Sequence, residues 1–304
     1  MTVAAAAGEW VDLEPGKDYR RAGSGDLRRD IVRYYEESYW DYRTSWMDGR
    51  NLAIHYGYWA PHVRSHAESL LEMNRVLATA AAVAPGERIL DAGCGVGGSA
   101  IWLAEEYAAE VVGITLSPSQ ARMAVRQCRR RGVAERVSVT LADFHRTPFA
   151  DASFDVVWCQ ESVCHAQDKA AFVREAARLL RPGGRLMVSD GFARRQRFSP
   201  EEWPVVLTCL EGWAVPNLAT VAEFAGYLGA AGLHGIRHED VTAFTLPSAR
   251  RMSRTARLTQ PMQRLMRALG LRSDAQTGNF LTALNQHRIF AEGMACHAWF
   301  VAHR

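Results

Sequence analysis

Residues 89–98 read ILDAGCGVGG. With Glu87 and Arg88 ahead of it, the apolar run predicts a strand over 87–93 that ends in a glycine turn, and a helix opens at Gly98 and runs to Tyr107. Gly93, Gly95, Gly97 and Gly98 let the backbone turn tightly and come close to a ligand with no side chain in the way. The acid at the strand end decides which ligand. A pyrophosphate seeks a helix N-terminus with no carboxylate beside it. Asp91 suits a ligand whose tail carries a cationic amino group.

Outward from this turn the chain alternates strand and helix. Strands are predicted over 110–116, 137–143, 154–162 and 185–191, helices over 118–131 and 169–180, and a turn at the RPGG of 181–184. The pattern predicts an α/β fold with a parallel, Rossmann-like sheet covered by helices on both faces. Ligands of such sheets bind beyond the carboxyl ends of the strands. Upstream, 1–30 reads as a mobile start, followed by an aromatic-dense segment (Tyr34, Tyr35, Tyr39, Trp40, Tyr42, Trp46) taken as core, then NLAIHYGYW at 51–59. Leu70, Met73, Leu77 and Ala80 mark one face of a helix beginning near Ser65. After 192 the alternation stops. Residues 193–230 and 246–290 read as helical, with strands over 236–244 and 295–303. The expected organisation is N-terminal helices and a lid over 1–80, a ligand-binding core over 81–192, and a helical cap plus the last strands over 193–304.

The 304 residues are 48% apolar and 23% charged with a net charge of +3, which gives no argument for a nucleic-acid partner. No run reaches the ~18 apolar residues of a membrane span. Six scattered cysteines without a C-x-x-C pair read as reduced thiols. A cytoplasmic protein is expected, with homo-oligomerisation left open.

Residues 85–192 resemble the core of class I S-adenosylmethionine-dependent methyltransferases. The resemblance implies S-adenosylmethionine as methyl donor, with its amino-acid end near Asp91, Gly93 and Gly95. GITLSPSQ at 113–120 departs from the usual acid at the end of the second strand. It is similar to the G-x-T-L-S-x-x-Q variant of cyclopropane fatty-acid synthases and several terpenoid and sterol C-methyltransferases. This implies ribose contacts by Thr115, Leu116 and Gln120, and the missing acid counts against a NAD enzyme. LADF at 141–144 resembles the adenine site, with Asp143 accepting from the exocyclic amine beside Phe144. Alone, Asp143 would read as a solvated loop acid. Gln160 completes the expected donor set.

WCQESVCHAQD at 158–168 is similar to the E-x-x-C-H-A of sterol C-methyltransferases. That resemblance points Glu161 at the reacting centre. Methylating an alkene leaves a carbocation that must lose a proton, and a half-buried carboxylate can stabilise the one and accept the other. His165 is a candidate second base, although a single histidine is more often a packing residue. Tyr56, Tyr58, Trp203 and Trp213 are the candidates for aromatic faces around a cation. Arg250, Arg251, Arg254, Arg257, Arg264, Arg267 and Arg272, with Arg194, Arg195 and Arg197, read either as a solvated basic surface or as a phosphate clamp. As a whole the chain looks similar to bacterial terpenoid (geranyl diphosphate) C-methyltransferases. This implies a small-molecule acceptor, a prenyl diphosphate, together with Mg2+. The alternatives are N-, O- or C-methylation of another natural-product, sterol or quinone-type acceptor, or a donor-binding protein without turnover.

Overall fold

The computed structural model describes residues 9–20, 25–47 and 51–304; part of the stretch expected to be mobile, including 1–8, lies outside them. In chain order the elements begin with β1 (Val11–Asp12), α1 (Leu27–Glu37), α2 (Tyr39–Ser45) and α3 (His66–Ala80). The core series follows: β2 (Arg88–Ala92), α4 (Gly98–Tyr107), β3 (Glu110–Thr115), α5 (Pro118–Arg131), β4 (Val137–Leu141), β5 (Phe154–Gln160), α6 (Lys169–Leu179) and β6 (Leu180–Ala193). The remainder is β7 (Arg197–Phe198), α7 (Trp203–Gly212), α8 (Val221–Ala230), β8 (His234–Asp240), α9 (Thr242–Ala268), α10 (Asp274–Ala291) and β9 (Ala295–His303).

Seven strands form one mixed sheet in the order β4-β3-β2-β5-β6-β9-β8, with β9 antiparallel to both its neighbours. The chain steps from β2 outward to β4, then returns to the other side of β2 with β5. That reversal leaves a crevice between the carboxyl ends of β2 and β5, beside the glycine turn. One sheet face buries Phe172, Phe224 and Leu228 of α6 and α8, and the other buries Met73, Leu77, Ile101 and Leu103 of α3 and α4. Each such side chain contributes about 1.5–3 kcal/mol of burial.

Local signals set the helix ends. Ser117 caps α5 by accepting from the Gln120 N–H, with Pro118 in the first turn. Gly132 ends that helix in the left-handed region, at φ 72°. Two expectations change. The RPGG segment lies inside β6, where the register against β5 shifts between Phe154 and Val156, so the expected turn is a bulge within a strand. The strand expected over 236–244 ends at Asp240, whose carboxylate accepts from the Thr242 N–H and hydroxyl and starts α9 instead.

α7 and α10 cross at two glycines. A Cβ on Gly212 would lie 2.0 Å from Thr282 Oγ1 and 2.3 Å from the Gly278 carbonyl oxygen. Gly212→Ala is therefore expected to cost about 1–3 kcal/mol by overpacking. Calorimetry should show a Tm lower by roughly 2–8 °C; an unchanged Tm would show that the crossing yields without strain.

Candidate active site

β2 delivers Asp91 to the crevice, and Gly93, Gly95 and Gly97 follow with φ of 103°, 53° and 90°. The turn needs glycine at 93 for two reasons: the left-handed backbone, and a Cβ that would stand 2.4 Å from Ser162 Cβ. Asp91 is 2% exposed and its Oδ2 has no hydrogen-bond partner. Burial pushes its carboxyl up to about 7, partly offset by the Ala100 N–H. Gln160, at the end of β5, accepts from Ser99 Oγ at 2.8 Å, which leaves its buried Nε2 unpartnered. An acceptor and a donor, both buried and both unsatisfied, thus face the cavity that the glycine turn borders. They fit the ammonium and carboxylate of an amino-acid moiety.

That cavity measures about 920 Å³. Every residue expected to bind the donor lines it: Asp91, Gly93, Gly95, Thr115, Leu116, Gln120, Asp143, Phe144 and Gln160. Thr115 Oγ1 donates to Gln120 Oε1 at 2.8 Å, so the Gln120 amide nitrogen is turned outward. Asp143 is more heavily engaged than a simple adenine acceptor. Its Oδ1 accepts from the His145 N–H and Nδ1, each at 2.8 Å, and its Oδ2 pairs with Arg28 of α1 at 2.6 Å. Burial works to raise this carboxyl, but the His145 bonds and Arg28 outweigh it and hold it low.

A second chamber of about 450 Å³ lies under α7, α9 and α10. Tyr35, Ile54, Glu161, His165 and Leu218 line both spaces and form the wall between them. Glu161 has φ 51°, an uncommon value for a residue with a side chain. Its Oε1 accepts from the Tyr56 N–H at 2.6 Å and from His297 Nε2 at 3.2 Å. The carboxylate thereby ties the 51–59 segment to the sheet.

His165 belongs to a short 3-10 turn, Val163–His165. Its Nδ1 donates to the Ala214 carbonyl at 3.2 Å, so its Nε2 is the bare nitrogen and accepts from the Tyr35 hydroxyl at 2.8 Å. Burial lowers this imidazole to about 4, so it is neutral near pH 7. Asp190, at the far end of β6, is pushed up to about 6 by burial and by the Glu161 charge, and it accepts from the Cys164 and Gly191 N–H groups.

Among the aromatic candidates, Tyr56 and Trp213 line the second chamber. Tyr58 and Trp203 line neither space. Tyr58 stacks on Phe244 at 4.3 Å, against the α3–α4 side of the sheet. Trp203 is buried against Tyr19 and Phe198, beside the small β1–β7 sheet. Conversely, Tyr34, Tyr35, Tyr42 and Trp46, expected in the core, line the chamber. A run of tyrosines rather than phenylalanines was the available signal, since each carries a polar tip that must find a partner. Asp190 had a signal too, as a carboxylate at the end of a parallel strand. His297 had none.

The arginines do not assemble into a clamp. Arg194, Arg195 and Arg197 pair with Asp240, Glu202 and Asp12. Of the seven on or after α9, only Arg251 and Arg272 line the chamber. Arg251 donates to the Ser45 carbonyl, and Arg272 places both terminal nitrogens on Asp41. Among the described residues no group of three or more His, Cys, Asp or Glu is placed to hold a metal ion.

Residues 90–188 match a family model described as a methyltransferase domain. Methyltransferase GfsG of Streptomyces halstedii is 34% identical over 226 residues, covering 72% of this chain and 78% of that protein. The 27-O-demethylrifamycin SV methyltransferase of Amycolatopsis mediterranei is 36% identical over 200 residues, 66% of this chain and 72% of that one. Among solved structures, a geranyl diphosphate methyltransferase in complex with geranyl diphosphate and sinefungin superimposes with a TM-score of 0.71 at 24% identity, over 91% of this chain and 99% of that one.

Proposed function

Given that the chain belongs to the class I S-adenosylmethionine-dependent methyltransferases, we propose that it transfers the methyl group to a hydroxyl oxygen of a small natural product, with His165 as the base. The observation that carries this reading is the position and protonation of His165: in the wall between the two cavities, with Nε2 bare and hydrogen-bonded to Tyr35. Bound S-adenosylmethionine supplies a methyl made electrophilic by its positively charged sulfur. The chain's residues do the rest. Asp91 and Gln160 hold the amino-acid end, and the Thr115–Gln120 pair meets the ribose. Tyr35 and His165 orient the acceptor hydroxyl across the wall. As that oxygen bonds to the methyl, the Tyr35 hydroxyl turns from His165 Nε2 to the acceptor oxygen, the acceptor's proton passes to the freed Nε2 lone pair, and the imidazolium charge is shared with the Ala214 carbonyl through Nδ1–H. General-base help is worth about 10²–10⁴ in rate when the base is matched to the working pH, and an imidazole lowered to about 4 supplies the low end of it, about 10².

The chamber chemistry supports a neutral acceptor. Its walls present tyrosine hydroxyls, apolar groups and the carboxyls of Glu161 and Asp190, which disfavour an anion, while Arg272 is already neutralised by Asp41. A diphosphate would bring charge into a space that offers one uncompensated guanidinium, Arg251. A relative named for an O-demethylated acceptor points the same way. Alkene C-methylation of a prenyl diphosphate with Mg2+ remains the second reading, favoured by Glu161 in the same wall and by the likeness to the geranyl diphosphate enzyme. Product analysis separates the two. We expect the new methyl on oxygen, by mass spectrometry and carbon NMR of products from a panel of phenols and macrocyclic alcohols, with a rate unchanged by EDTA. A carbon-bound methyl on geranyl diphosphate, formed only with Mg2+, would sink the O-methylation reading.

A further inference from the structure

α9 runs for 27 residues along the chamber and carries an outward face that no other element among the described residues covers. Leu258, Met262, Leu265 and Leu269 follow one another at spacings of four, three and four, which is a single helical ridge. Leu258 is 84% exposed and Met262 53%, and Leu265, Leu269 and Leu271 are exposed as well. Scattered exposed leucines need no explanation, but a row of four large apolar side chains, with exposed Leu271 just past the helix end, does. Arg254 continues the ridge one turn before Leu258, and Arg257 and Arg264 flank it on one side, all of them exposed. From 241 to 273 the chain contains no Asp or Glu. This is a helix with an apolar ridge and a purely basic flank, the pattern that lies in the interface of a bilayer rather than across it. Among the described residues no helix is long and apolar enough to cross a membrane.

The ridge is also continuous with the active site. Met262 belongs to it and at the same time lines the second chamber, together with Thr259 and Gln263 one step around the helix. We infer that α9 docks the enzyme on an anionic lipid surface, with Leu258, Leu265, Leu269 and Leu271 in the acyl boundary and the arginines on the lipid phosphates. The chamber mouth then opens onto the bilayer, so an acceptor with a lipophilic tail reaches the wall of Tyr35 and His165 without crossing water. The charge pattern argues against a second copy as the occupant. A two-fold interface sets a patch against itself, so it would bring arginines against arginines with no acid on this segment to separate them. An anionic bilayer offers the opposite charge to every one of them.

The docking is measurable without knowing the acceptor, so its failure and a failure of the O-methylation reading are separate results. The full chain is floated with vesicles of phosphatidylcholine alone, and with vesicles in which a third of the lipid is phosphatidylglycerol. Binding to the anionic vesicles is expected to exceed binding to the neutral ones by at least about tenfold and to fall at high salt. A variant carrying Leu258→Ser, Leu265→Ser and Leu269→Ser is expected to lose vesicle binding by about tenfold or more, with S-adenosylhomocysteine affinity by calorimetry and thermal stability unchanged. No flotation of the native chain overturns the inference. So does flotation that the leucine substitutions leave intact, which would reduce the contact to unspecific charge attraction. A native dimer in sedimentation that the same substitutions dissociate would assign the ridge to a second copy, and likewise overturns it.

Discussion

His165→Asn is expected to lower kcat by about 10² while leaving S-adenosylhomocysteine affinity within a factor of about two. The asparagine amide can keep a hydrogen bond to the Ala214 carbonyl, so the loop holding it need not move. What it cannot do is accept a proton. Tyr35→Phe removes a donor to Nε2 and not the base, so a smaller loss of about tenfold is expected. Because burial lowers His165 to about 4, the imidazole is neutral from pH 6 to 8, and kcat at saturating donor should show no step from His165 across that range. Turnover in His165→Asn close to the native rate would remove the base from the mechanism. Attention would then move to Glu161, the other titratable group in the wall.

The second large effect concerns Asp91. Its Oδ2 is buried and unpartnered in the free protein, and a cationic amino group is the partner it lacks. Asp91→Asn keeps the size and removes the charge, and calorimetry should show S-adenosylhomocysteine binding weakened by about 100-fold or more, in line with the 2–5 kcal/mol lost when one member of a buried charge pair is cut. The same residue sets a pH dependence. With its carboxyl near 7 in the free protein, binding of the ammonium form requires loss of a proton below that pH. Affinity should therefore rise by up to about tenfold per unit from pH 5 to 7 and level off above. The stability sign is opposite. The folded, ligand-free protein holds this proton more tightly than the unfolded chain does. Asp91 therefore lowers the stability of the free protein as pH rises from about 4 to 7, and bound ligand cancels the loss. A binding constant that is flat over pH 5–7 in the native chain would place the amino group elsewhere.

Glu161 shows why a residue can line both cavities and still have an open role. The resemblance points it at the reacting centre, and it lies in the wall between the two spaces. Its Oε1 is occupied by the Tyr56 N–H and His297, neither of which is near it in sequence. Replacing it would loosen the 51–59 segment as well as remove a charge, so its loss alone cannot distinguish a proton acceptor from an anchor. His165 does not carry that ambiguity, because asparagine can keep its anchoring bond to the Ala214 carbonyl.

The donor half of the site was legible because its information is local. Asp91 and the glycines lie on one turn, Thr115 and Gln120 are separated by one strand end and one helical turn, and Asp143 with Phe144 closes the next strand. Each unit is short enough that spacing and backbone demand prescribe its form. The strand–helix alternation from 87 to 191 likewise determined the parallel sheet, since apolar runs bounded by turns must be covered on both faces. The acceptor half was decided only in three dimensions. Tyr35 meets His165 across 130 residues and Tyr56 meets Gln286 across 230. Periodicity says which side of a helix is apolar, but not whether that side faces a packed core or a cavity. So Tyr34, Tyr35 and Tyr42 read as core and line a chamber, while Tyr58 and Trp203 read as chamber and pack in or against the core. The arginines followed the same logic. Their clustering in sequence was visible, but whether they turned inward as a clamp depended on where Asp41, Glu202 and Asp240 came to rest, and the folded chain placed those acids beside Arg272, Arg195 and Arg194.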